Sequence, residues 1–153
     1  MPSHFTHLVF AEEALAGALG DEAAAILASH GNLVRFAAQG PDIFYHNQRT
    51  MPTGLRFGIA LHKGRYGAMV GELVREARRL GMGPTTELGA FTLGWATHAV
   101  LDRSTHPYII HFAGWDEPGA AGARRLYHTH PFLERIIDLE VLAERRGLAP
   151  AAF

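Results

Sequence analysis

A chain of 153 residues, 48% of them hydrophobic, has the length of one domain and enough apolar side chains for a core. With 14 Lys+Arg against 15 Asp+Glu, it offers no electrostatic case for duplex nucleic acid or an anionic membrane. The absence of cysteine excludes disulfides, thiolate metal sites and a cysteine nucleophile, so any metal must be held by nitrogen and oxygen.

No apolar run reaches the roughly 18 residues of a transmembrane helix. The start, Met1-Pro2-Ser3-His4, shows neither the basic nor the apolar region of a signal peptide, so a cytoplasmic protein is expected. Ten dispersed histidines are the compositional outlier, and they point to metal or proton chemistry.

In chain order the pattern reads as helices divided by Gly/Pro breaks, with no strand and no repeat. The first helix is expected over residues 6–19, with Thr6 as N-cap and Gly20 as its stop. The second follows Asp21 as N-cap and runs to Ala38, broken or kinked at Gly31. Residues 39–53 read as a loop containing Gly40-Pro41-Asp42. A helix or helical pair covers 55–80, with Gly64 and Gly67 as possible interruptions and Gly81 as its end. Gly83-Pro84-Thr85-Thr86 is a turn with a cap. A central helix spans 87–106, and 112–123 is a loop. A last helix has Pro131 in its first turn and Gly147 after its end. The fold class is therefore all-α, a compact bundle of about five to seven helices. Residues 1–147 form a single metal-binding domain, and 148–153 a frayed tail.

His98, Asp102 and His106 recur every fourth residue in the central helix, so they project from one face. The apolar flank Phe91-Thr92-Leu93-Gly94-Trp95-Ala96 suggests that this face is buried. A buried carboxylate with two imidazoles needs a partner, and a divalent metal is the commonest one. His130, Glu134 and Asp138 repeat the same spacing in the last helix. His7 and His62, each beside an apolar helical run, and Asp42 in its turn are individually weak. His46, His111 and His128 are reserve ligands, His30 reads as structural, and His4 lies one turn before His7.

Taken in order, His7, Gly40-Pro41-Asp42, His62, His98-x3-Asp102-x3-His106-Pro107 and His130-x3-Glu134-x3-Asp138 resemble the zinc-dependent phospholipase C family. That family includes bacterial phosphatidylcholine-cleaving phospholipases and the clostridial alpha-toxin catalytic domain. The resemblance spans His7 to Asp138 and looks closest to the family's leaderless bacterial branch. It implies a multi-helix fold of the phospholipase C and single-strand nuclease type, with two or three Zn2+ ions. Carried across by position, Asp42, His62, His98 and Asp102 hold the first ion. Asp102 bridges to a second, which His7 and the N-terminal region also hold. His106, His130 and Glu134 hold the third, and Asp42 doubles as general base. Three departures stand out. The chain starts Met1-Pro2-Ser3 where characterised members have a ligating tryptophan. The Asp102-to-His106 step is shorter than in the secreted enzymes, so His111 competes for that place. The chain is also shorter than the characterised catalytic domains.

The function so implied is zinc-dependent hydrolysis of a phospholipid or related phosphodiester by a metal-activated water, with at most transient contact with a membrane surface. A single-strand nuclease is the enzymatic alternative, with Phe44, Tyr45, Tyr108, Phe112 and Trp115 as candidate stacking platforms. A metal-stabilised helical domain without activity is the non-enzymatic one. A His-Asp phosphohydrolase is excluded by the lack of that dipeptide, and a di-iron carboxylate bundle by the lack of Glu-x-x-His.

Overall fold

The computed structural model describes residues 4–45, 52–113 and 129–148, and every regular element among them is helical. Helix α1 (His4–Leu19) and α2 (Asp21–Ala38) form an antiparallel pair hinged at Gly20, whose φ of 54° is left-handed. Thr6 is not the N-cap, because the helix begins earlier and Thr6 lies in its first turn. Asp21 is the first residue of α2, and Gly20 before it occupies the N-cap position. With Glu22, Asp21 instead places negative charge on that helix start. The expected kink falls at His30 (φ −131°, ψ 19°), one residue before Gly31, where the ring Nε2 donates to the Thr85 carbonyl at 3.1 Å.

The segment read as a loop from Gln39 opens with a 3-10 helix, Gly40–Tyr45. Helix α3 (Pro52–Ala60) is joined by a π turn (Leu61–Arg65) to α4 (Tyr66–Arg79). The interruption sits at Gly64 (φ 148°) and not at Gly67, and the chain turns away at Gly81. Thr86 caps α5 (Glu87–Phe112), its hydroxyl accepting from the Gly89 amide at 3.2 Å.

Helix α5 passes through Pro107 and ends at Phe112 rather than at His106. Proline removes the amide that would serve the Arg103 carbonyl. Both residues are exposed, so water can serve it, while Ile109 beyond them is buried and holds the helix onto the core. Of the loop expected over 112–123, Phe112 is helical and 114–123 lie outside the described residues. Helix α6 (Thr129–Arg146) begins before Pro131, which makes His130 a helical residue. Gly147 (φ 62°) ends it. Of the expected tail, 149–153 lie outside the described residues.

The apolar core is built by α1, α2 and α5: Ala11 and Leu15 meet Ala23, Ile26, Val34 and Ala38, with Ala90 from α5. Burying a side chain such as Ile26 or Val34 contributes about 1.5–3 kcal/mol each. The crossing of α2 and α5 is close because it is lined by small residues: a Cβ on Gly94 would lie 2.5 Å from the Val34 carbonyl. This close approach brings the middle of α5 under the end of α2, where the 3-10 helix starts. Glu12 of α1 ties two other helices, pairing with Arg35 (2.6 Å) and Arg146 (2.5 Å). Among the described residues no helix is long and apolar enough to cross a membrane.

Candidate metal centre

The central stripe of α5 faces inward. His98 is 1% exposed, and its Nε2 lies 3.2 Å from Asp102 Oδ2. The other oxygen, Asp102 Oδ1, faces His7 Nε2 of α1 at 3.3 Å and His106 Nε2 at 3.7 Å. His62 Nε2, from the π turn, is 3.8 Å from Asp102 Oδ2 and 3.1 Å from Asp42 Oδ1 of the 3-10 helix. On the far side, Glu134 Oε1 of α6 lies 2.8 Å from His130 Nε2 and 3.5 Å from His106 Nε2. Asp102 is thus the centre of the array, each oxygen turned to a different set of imidazoles.

All eight side chains expected as ligands are brought together, in three groups whose ligand atoms lie within 4.8 Å of one another: His7–Asp42–His98, His62–His98–Asp102 and His106–His130–Glu134. The third group has the composition implied by the family resemblance. In the first two, His7 joins Asp42 and His98 and does not stand apart with Asp102 alone. The reason is packing: the His7 ring stacks on that of His98, with centroids 4.2 Å apart and planes 16° from parallel. The N-terminal residues expected beside His7 lie, for positions 1–3, outside the described residues.

Of the reserve histidines, His111 lies among the described residues and does not enter these groups. His111 is exposed and packs edge-on against Phe112. His46 and His128 lie outside the described residues. Asp138 accepts from Thr6 of α1 through one oxygen, which receives both the amide and the hydroxyl at 2.7 Å.

The donor set fits a cation on chemical grounds. His62 Nδ1 lies 2.7 Å from the Gly58 carbonyl, which can only accept, so that nitrogen carries the hydrogen. In the neutral ring, Nε2 then presents a lone pair to Asp42 Oδ1, and two acceptors 3.1 Å apart require a proton or a metal ion between them. Among the described residues, neither His98 nor His7 has a hydrogen-bond partner at Nδ1, although both rings are buried. Buried orphan nitrogens are destabilising unless something binds them. Imidazole nitrogen with carboxylate oxygen suits zinc and the neighbouring divalent transition metals.

Without a metal, protons fill the same role. Burial disfavours the charged form of His62, but Asp42, the Gly58 carbonyl and Asp102 outweigh it and raise its pKa above the ordinary 6.5. Glu134 does the same for His106, against burial. Asp102 is opposed by burial, yet His7, His98 and His106 hold it far below the usual carboxylate range. Burial likewise works against ionised Glu134, which His106 and His130 hold low.

The pH dependence follows. Metal ligation needs neutral imidazole. Affinity is therefore expected to fall as pH drops through the raised values of His62 and His106, by about tenfold per pH unit for each proton displaced. Zinc competition titrations at pH 6, 7 and 8 check this, and a flat profile would contradict it. In the metal-free chain the His62 and His106 pairs stabilise fully below 6.5 and are lost as pH rises through their folded values. The contributions of Asp102 and Glu134 are present above their ordinary values of 3.8 and 4.5 and are lost on acidification through the lowered ones.

Two tyrosines complete the walls. The Tyr45 ring lies over His62 at 5.4 Å, its hydroxyl 3.2 Å from Nδ1. Tyr66 packs between Trp95 and His98 and donates to the Trp95 carbonyl. Burial, then the charges of Asp102 and Asp42, push its pKa up, so it remains a neutral phenol. The helical spacing offered a cue to Tyr66, which stands four residues after His62. Tyr45 stands three after Asp42, the repeat of a 3-10 turn.

No family model, curated protein or solved structure matches the chain.

Proposed function

We propose that the chain is a metal-dependent phosphodiester hydrolase of the zinc-dependent phospholipase C kind, acting on a phospholipid or a related phosphodiester. The observation that carries this reading is the convergence on Asp102 of imidazoles from α1, the π turn and α5, with Asp42 of the 3-10 helix joined to them through His62 and Glu134 of α6 through His106. Zinc held by such a set polarises phosphoryl oxygens and brings the pKa of coordinated water near neutrality. Asp42, His62, His98 and Asp102 are assigned to one ion, and His106, His130 and Glu134 to another. His7 lies between Asp42 and Asp102 and completes the first or holds a third.

The exposures give the site a floor and a rim. Asp42 and His98 are 2% and 1% exposed, whereas His106 is 33%, His62 22% and Asp102 16% exposed. A phosphodiester therefore approaches over His106 and His62. Asp42, beneath them, accepts the proton of a water already inside the centre. Tyr66, whose hydroxyl proton is committed to the Trp95 carbonyl, forms a wall and takes no part in proton transfer.

The test is hydrolysis of a chromogenic phosphocholine ester and of single-stranded DNA by the zinc-loaded chain, with zinc content measured in parallel. Ester hydrolysis that a chelator abolishes is expected. Asp42→Asn should lower kcat by about 10²–10⁴-fold in protein that still carries zinc. Cleavage of DNA alone would favour the nuclease reading. Zinc bound with both substrates untouched would leave a metal-stabilised helical domain and sink the enzymatic reading.

A further inference from the structure

We propose that Asp138 is a positioning residue that fixes His7 in the metal centre by clamping the first turn of α1 to α6. The inference rests on the metal-centre reading above and concerns how that centre is assembled.

The first amides of a helix have no acceptor within it. The Thr6 amide is one of these in α1. It finds its acceptor 132 residues away, in Asp138 Oδ1 at 2.7 Å, and the Thr6 hydroxyl reaches the same oxygen at 2.7 Å. A carboxylate at a helix N-terminus is favoured by the helix dipole, and its hydrogen bonds are charge-assisted. Asp138 is 7% exposed, so the bonds form largely out of competition with water.

The two clamped positions adjoin ligands at both ends of the chain. His7 directly follows Thr6. Asp138 lies one helical turn beyond Glu134 and two beyond His130, on the same face of α6. His7 must reach Asp102 at 3.3 Å and stack on His98, so a small rotation or slide of the first turn of α1 removes it from both. Asp138 provides the hold on that turn, while belonging to none of the groups of ligand atoms. Its place in the His130-x3-Glu134-x3-Asp138 series thus serves the centre through Thr6 and His7, not through a metal.

The test is a double-mutant cycle read by Co2+ titration of the whole chain, using visible absorption and stoichiometry. Asp138→Ala should weaken the binding step that involves His7 by about ten- to a hundredfold, the usual effect of losing a partner that orients a ligand. Asp138→Asn keeps an oxygen acceptor and should restore most of that loss. Thr6→Val, which keeps the amide and loses the hydroxyl, should fall between. In a His7→Ala background, Asp138→Ala should add nothing, because the residue acts through His7. Additive losses, or unchanged Co2+ affinity in Asp138→Ala, overturn the proposal while leaving the metal-centre reading intact. A wild-type chain that binds no Co2+ overturns both. Amide hydrogen exchange gives a metal-independent check: protection at Thr6 and His7 should drop in Asp138→Asn and further in Asp138→Ala, and unchanged protection overturns the clamp.

Discussion

Replacing Asp102 with Ala is expected to release more than one metal ion per chain. Four imidazole nitrogens, those of His7, His62, His98 and His106, lie 3.2–3.8 Å from the two oxygens of this one carboxylate. Its negative charge would therefore be shared by ions bound on either side. Removing one partner of a buried charge pair typically costs about 3–5 kcal/mol, two to four decades in affinity, because the remaining charge is left buried without compensation. The metal-free chain should suffer less, since its imidazoles can shed their protons and become neutral. The gain in Tm on adding zinc should accordingly shrink in Asp102→Ala by more than Tm itself falls without zinc. Elemental analysis after dialysis against a zinc buffer measures the loss directly. Zinc content equal to wild type would mean that Asp102 bridges nothing.

Five of the eight ligand-type positions, His98, Asp102, His106, His130 and Glu134, could be read from the sequence because a helix turns a spacing of four into a shared face, whereas His7, Asp42 and His62 entered only through the family resemblance. His98, Asp102 and His106 needed only that local rule, and α5 is regular across all three. The end of α5 did not follow, because Pro107 is a local stop signal that long-range packing overrides where Ile109 is buried. Asp138 shows the opposite limit. Its spacing from Glu134 equals that of His106 from Asp102, yet it meets the start of α1 at Thr6. Which partner waits at the third position of such a series depends on a contact between chain ends, and periodicity carries no information about that.

The same division holds for the remaining ligands. Asp42 in a Gly-Pro-Asp turn looks like a cap, and only the descent of α2 onto α5 places it 3.1 Å from His62. His62 is aimed by the π turn and by the Gly58 carbonyl. Gly58 in turn sits close to the 3-10 helix, where an added Cβ would lie 3.0 Å from the Tyr45 ring and 3.3 Å from the Pro41 carbonyl. The ligand types were legible, whereas of the small residues that let their backbones approach one another Gly40 read only as part of a turn and Gly58 and Gly94 only as members of apolar runs.

Gly40→Ala is the substitution in which that hidden requirement should cost most. Gly40 adopts φ 55°, a left-handed conformation that disfavours any L side chain by about 1–2 kcal/mol. An added Cβ would also lie 2.4 Å from His98 Cγ and 2.7 Å from Cδ2. The His98 ring has little room to retreat, since it is buried and stacked with His7 and Tyr66. Forcing an extra carbon into such packing adds about 1–3 kcal/mol. The expected loss is thus about 2–5 kcal/mol, a large share of the 5–15 kcal/mol that holds an ordinary domain together. Because His98 belongs to two of the three ligand groups, its displacement should weaken metal binding as well. Gly17→Ala is the matched control: Gly17 is exposed in the interior of α1 with nothing within 4 Å of an added Cβ. That change should stabilise the chain by about 0.5–1 kcal/mol through helix propensity and leave zinc content unchanged. Urea midpoints of the two metal-free variants, with Co2+ titrations beside them, separate the effects. A Gly40→Ala chain as stable and as metal-competent as wild type would mean that the 3-10 helix does not bear on His98 as closely as the structure places it.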